Sequence, residues 1–193
     1  MKPLIEDLDR YEQYWTEDRP KALERYRSFV ESTRACCLRS HQVGHCTGSA
    51  FIVSPDLRQT LLLYHPFLKR WLQPGGHADG DPDLLRVALR EASEETGLSH
   101  EQFEVHQLGG RPRIPLDLDI HAIPERGSEP AHYHYDLRFL LLADPAANLT
   151  PESEAMILEW VPLEIVDQRT DEESVLRMVR KIQSLCLTRQ TRC

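Results

Sequence analysis

The chain has 193 residues, 40% of them hydrophobic, and a formal net charge of −8 at neutral pH. That length and apolar content suit a single domain with a core of its own. The acidic balance argues against a nucleic-acid backbone or an anionic membrane as the main partner, although local Arg or Lys, or bridging cations, still allow phosphates to bind.

The opening "MKPLIEDLDRYEQYW" is charged throughout, without the apolar run of an export signal. No later stretch approaches the roughly 20 apolar residues that a membrane span requires. Residues 1–40 are expected to form a helical extension packed on the main domain. Leu23, Tyr26, Val30 and Thr33 recur at helical spacing, and Asp18 with Pro20 supplies a start. Tyr11, Tyr14 and Trp15 offer that extension an aromatic docking surface. Five cysteines (Cys36, Cys37, Cys46, Cys186 and Cys193) are odd in number and lack paired metal-ligand spacing. Reduced thiols and a cytoplasmic location are the expectation.

From Gly44 the pattern changes. "TGSAFIVS" and "TLLLYH" are short β-rich runs on either side of the turn signal "PDLRQ", which predicts a hairpin. A helix is expected between Asp81 and Thr96, started by Asp81–Pro82 and closed by Gly97. Farther on, Leu116, Leu118 and Ile120 alternate with Asp117, Asp119 and His121. Tyr133, Tyr135, Leu137 and Phe139 then alternate with His132, His134, Asp136 and Arg138. A period of two on both sides of a turn predicts a second hairpin with one apolar and one polar face. A strand around Ile157 to Val161 follows. Thr170 and Glu173 then read as the capping box of a closing helix that buries Leu176, Val179 and Ile182. Strands, helix, strands and helix indicate a mixed α/β (α+β) sandwich, with residues 41–193 as the main body of one domain.

The helix from Asp81 repays attention because of its charges. At about 100° per residue, Leu85, Ala88, Leu89, Ala92 and Thr96 share a stripe that should face the core. Glu91, Glu94 and Glu95 share a second stripe, with Arg86 and Arg90 beside them. Like charges three and four residues apart repel, so the trio is either a solvated face or a cation site. Magnesium suits such a cluster, since it takes a few carboxylates and keeps waters and substrate phosphates. The preceding "PGGHADG" is a glycine-rich loop whose bare backbone can approach a ligand or metal closely.

The same segment resembles the Nudix box, G-x5-E-x7-R-E-U-x-E-E-x-G-U with U a bulky aliphatic residue. Gly76 matches the first glycine, and Arg90-Glu91-Ala92-Ser93-Glu94-Glu95-Thr96-Gly97-Leu98 matches the second half. One position departs: the first box glutamate falls on Pro82, which makes Asp81 or Asp83 the expected partner of Arg90. The resemblance implies a Nudix-like α/β/α sandwich with a mixed central sheet, covering about Gly44 to Val166. It implies a hydrolase that uses Mg2+ or Mn2+ to cleave the diphosphate linkage of a small-molecule nucleoside diphosphate derivative. Glu91, Glu94 and Glu95 would carry the metal, with the carbonyl of Gly75 as a further ligand and Arg90 orienting the glutamates.

A general base is then expected from Glu94 or Glu95, or from the acidic loop "TPESEAMILEW", where Glu154 is favoured over Glu152. His77, beside the loop glycines, is a candidate phosphate contact. His132, His134 and Arg138 either line the substrate cleft or sit on a solvent-facing strand side, and the histidines offer a second metal site. Family habit and the N-terminal extension make a homodimer a reasonable expectation. The rival to an enzyme is a non-catalytic Nudix-like module that binds a nucleotide and regulates a partner.

Overall fold

Ten consecutive buried residues, Gly44–Val53, make up the strand on which the molecule is organised. A computed structural model describes residues 1–16, 18–127 and 129–190, so Cys193 lies outside the described residues. The strands are β1 (Gly44–Val53), β2 (Gln59–His65), β3 (Arg70–Leu72), β4 (Gly75–His77), β5 (Glu104–Val105), β6 (Asp117–Ile123), β7 (His132–Leu142) and β8 (Ile157–Pro162). The helices are α1 (Lys2–Tyr14), α2 (Pro20–Ser32), α3 (Leu84–Thr96) and α4 (Glu173–Gln190).

All eight strands join one mixed sheet of order β3-β2-β1-β7-β5, with β4 on β1, β6 on β7 and β8 on β2. β1 and β7 run parallel, from Gly44 opposite Tyr133 to Val53 opposite Leu142. The other pairings are antiparallel. Both expected hairpins are present, as β1–β2 and β6–β7. Apolar layers form on both sides of the sheet. Leu4, Tyr26, Phe29, Ala50, Ile52, Ala88 and Phe139 belong to one, with α1, α2 and α3. Phe51, Val53, Leu140, Met178 and Ile182 belong to the other, with α4. Each large side chain so enclosed contributes about 1.5–3 kcal/mol relative to exposure. Helix α3 lies close on β1 because Gly48 has no side chain: a Cβ there would stand 2.5 Å from the Leu84 carbonyl oxygen.

Three local expectations are corrected. The N-terminal extension is two helices, and Asp18 does not cap the second. Its carboxylate instead accepts hydrogen bonds from Tyr11 and Lys181, while Arg19 occupies the cap position at φ 49°. Helix α3 begins at Leu84 rather than at Asp81. Asp83 caps it by accepting the Arg86 N–H, because Asp81 is engaged by the Arg86 guanidinium at 2.6 and 2.7 Å. Gly97 ends α3 as expected, in the left-handed conformation at φ 73°. Finally, the polar face of β7 is not open to solvent. β7 is a central strand with a helical layer on each side, so Asp136 and Arg138 are as buried as Leu137 and Phe139.

Candidate active site

Burial and charge rank the three glutamates of α3. The Glu95 carboxylate tucks beneath the glycine loop and accepts the Gly75 N–H at 3.0 Å. Burial pushes its pKa up to about 8; the Gly75 N–H offsets this in part, and the charges of Glu91, Glu152 and Glu94 add to the rise. Burial likewise raises Glu91, against the pull of Arg90. Glu94 is turned outward, its side chain 55% exposed, with Arg90 Nε at 3.9 Å. The absence of a side chain at Gly76 leaves room for the Glu91 carboxylate in its present place, since a Cβ there would lie 2.3 Å from Glu91 Oε2.

Arg90 connects the loop to the helix. One of its terminal nitrogens donates to the His77 carbonyl at 2.8 Å and to Glu91 Oε1 at 2.6 Å. Asp81 and Asp83 do not replace the glutamate missing at Pro82. Asp81 pairs with Arg86, and Asp83 pairs with Arg113, which also binds Asp7 of α1.

The acidic loop that carries Glu152 and Glu154 is tied to the end of α3. The Thr150 N–H donates to the Thr96 carbonyl at 2.8 Å, fastening the loop to the end of α3. Glu152 and Glu154 are both exposed on this loop, and the charge of Glu152 adds to the rise of Glu95. The anchor at Thr150 is a tertiary contact with no signal in the local sequence.

Glu91, Glu94 and Glu95 present hard oxygen donors with one cation, Arg90, beside them. That donor chemistry fits a divalent cation such as Mg2+ or Mn2+. The trio is spread rather than closed. Among the described residues, the triads whose ligand atoms lie within 4.8 Å of one another are Cys36–Cys37–Cys46 and His45–His77–His134. Uncompensated carboxylates repel, and each of the buried pair is drawn to its own donor, Arg90 or the Gly75 N–H.

The residues of β7 divide. Arg138 is 2% exposed. Its Nε donates to Asp136 at 2.7 Å and a terminal nitrogen donates to the Ser174 carbonyl at 3.1 Å, with Asp117 and Asp119 within 4 Å. The expectation that it lines a cleft is therefore corrected, because its guanidinium is occupied by buried carboxylates. His132 and His134 are brought instead to a cluster with His77, His121 and His45. His45 was overlooked in the sequence, although His45, Thr47 and Ser49 alternate along β1 much as His134, Asp136 and Arg138 do along β7, in register with them. Cys36, Cys37 and Cys46 also gather, from a loop and β1, despite lacking a recognisable spacing. All three are free thiols.

The sequence model of the NUDIX domain matches residues 49–181. A probable DHNTP pyrophosphohydrolase of Lactococcus lactis subsp. cremoris (strain MG1363) is 32% identical over 97 residues, covering 49% of this chain and 52% of that protein. The match thus spans about half the length of that curated relative. Two solved structures share the fold. A C. elegans Ap4A hydrolase binary complex superposes with a TM-score of 0.56 at 19% identity, covering 74% of this chain and 98% of its own. The E. coli dihydroneopterin triphosphate pyrophosphohydrolase gives 0.57 at 15% identity, covering 70% and 92%.

Proposed function

The chain belongs to the NUDIX family, and on that premise we propose that it is a Mg2+- or Mn2+-dependent pyrophosphohydrolase acting on a small-molecule nucleoside diphosphate derivative. The observation that carries this reading is the pair of raised carboxyls, Glu91 and Glu95, packed against a side-chain-free loop with Glu94 beside them. Folding gathers three carboxyls around one guanidinium, at a cost that shows in the raised pKa of Glu91 and Glu95.

Glu91, Glu94, Glu95 and the Gly75 carbonyl are the groups that would hold the cation. When bound, it offsets the charge that protects a pyrophosphate from attack and lowers the pKa of a coordinated water. The protein's own groups prepare for this. Arg90 fixes the Glu91 carboxylate and the loop together. Glu95 retains a proton near neutral pH, and losing it makes a ligand of its carboxylate. Glu154 and Glu152 are the loop carboxylates available to accept a proton from water, on the loop that Thr150 fastens to the end of α3.

The relatives' names supply the substrates to try first. Purified protein with Mg2+ or Mn2+ is incubated with dihydroneopterin triphosphate, Ap4A, nucleoside triphosphates and nucleotide sugars, and phosphate, pyrophosphate and monophosphate are followed. Metal-dependent release that Glu94→Gln abolishes supports the reading. Tight binding of a compound without turnover would point instead to a nucleotide-binding module, and neither binding nor turnover across the panel would overturn the assignment.

A further inference from the structure

We propose that His45, His77 and His134 form a second metal site, selective for a zinc-class dication and separate from the carboxylates of α3. Three strands converge to build it. His45 of β1 stands beside His134 of β7 in parallel register. His77 ends β4, which pairs antiparallel with β1 through Thr47. One ligand atom from each of the three imidazoles lies within 4.8 Å of the others. Zinc–nitrogen bonds of about 2.0–2.1 Å around a tetrahedral ion place nitrogens about 3.3 Å apart, so small side-chain rotations close the site.

An independent observation points to a ligand. His45 is 1% exposed, and both of its ring nitrogens are buried without a hydrogen-bond partner. A buried polar group in that condition costs free energy unless something satisfies it. Its neighbours are other imidazole rings, with centroids 4.8 to 4.9 Å away. A metal ion is the partner that several neutral imidazoles can share, because each contributes a lone pair to it.

The surroundings supply a fourth donor and a supporting contact. His132 Nδ1 lies 2.9 Å from the Pro130 carbonyl oxygen, which can only accept, so Nδ1 carries the proton. With Nδ1 turned to that carbonyl, His132 Nε2 faces His134 Nε2 at 3.3 Å, which is the nitrogen spacing of a tetrahedral zinc site. A carbonyl that fixes the tautomer of a ligating histidine is a common outer contact of metal sites. Glu129 Oε1 lies 3.9 Å from His132 Nε2. His132 and Glu129 also line a pocket of about 260 Å³ with Arg39 and His41. Imidazole-only coordination suits zinc, copper, nickel or cobalt, and the absence of carboxylates from the triad disfavours magnesium.

The test reads binding and needs no substrate, so it stands whether or not the hydrolase reading does. Full-length protein is stripped with chelator, desalted and titrated with Co2+ or Zn2+ in excess Mg2+. One equivalent is expected, with Co2+ absorption free of the intense thiolate charge-transfer band. His134→Asn and His45→Ala should each weaken binding at least tenfold. Glu94→Gln and Cys36→Ser/Cys37→Ser should leave it unchanged. Far-UV circular dichroism checks the fold of each variant. If the histidine variants misfold, imidazole 15N shifts of the wild-type protein on adding Zn2+ decide: movement of three or more histidine signals supports the site, and unmoved signals overturn it. Loss of the ion in Glu94→Gln or in the cysteine variant, or unchanged binding in His134→Asn, also overturns it.

Discussion

Two acidic clusters sit within this domain, and folding treats them in opposite ways. Asp117, Asp119 and Asp136 lie under α4 among Arg19, Arg138, Arg177 and Lys181, with charged contacts of 2.6 to 3.0 Å. Thr47 and Ser49 complete the shell of Asp136 at 2.9 Å. Glu91, Glu94 and Glu95 have Arg90 and one backbone N–H between them. The aspartates are thus neutralised from within, which makes them structural. The glutamates are left with one guanidinium and, at Glu91 and Glu95, a raised affinity for protons that a cation can take the place of.

The largest effect should come from breaking the internal cluster. Asp117→Ala takes a fully buried carboxylate from Arg177 and Lys181, which keep only Asp119 and Asp18 as acidic partners, and breaking a buried ion pair costs up to about 3–5 kcal/mol. Denaturant unfolding should show that loss. Glu94→Gln is the converse. The side chain is half exposed, so stability should change by less than about 0.5 kcal/mol, while kcat against the best substrate should fall by about 100-fold or more. Unfolding curves and steady-state kinetics on the same preparation separate the two.

The pH dependence sharpens the contrast, because the clusters carry opposite signs. Burial would raise Asp119, but His121, Arg138, Arg19 and Arg177 outweigh it and hold its pKa low. The stability it supplies is therefore present at neutral pH and is lost as pH falls below the ordinary carboxylate range. Glu95 is raised from 4.5 to about 8. In chelated protein it binds a proton that the unfolded chain has released, so stability falls as pH rises across that interval. Thermal melts of chelated Glu95→Gln between pH 5 and 8 should lose a slope worth on the order of 2 kcal/mol. The smallest effect is expected from Pro82→Glu. Arg90 is already held by the His77 carbonyl and Glu91, so kcat/KM should change by less than about threefold, or about 0.65 kcal/mol.

Local pattern made the helix α3, both hairpins and the glutamate stripe readable in the sequence. Period and capping chemistry are short-range, and Gly97 ends its helix for a reason visible in one residue. The failures arose where a long-range partner decides. Alternation along β7 correctly put His132, His134, Asp136 and Arg138 on one face, but it could not tell that α4 would cover that face. Arg138 was therefore misplaced. The tie between Thr150 and Thr96, which brings the acidic loop to the end of α3, is likewise invisible in local pattern. Asp18 looked like a helix cap until Lys181, 163 residues away, took it.

That last contact sets a condition on how the chain folds. Tyr11 and Asp18 share one ammonium partner, Lys181, which lies 170 and 163 residues farther along. The seat of the two N-terminal helices is complete only when that long loop has closed, and contacts across such separations are gained slowly.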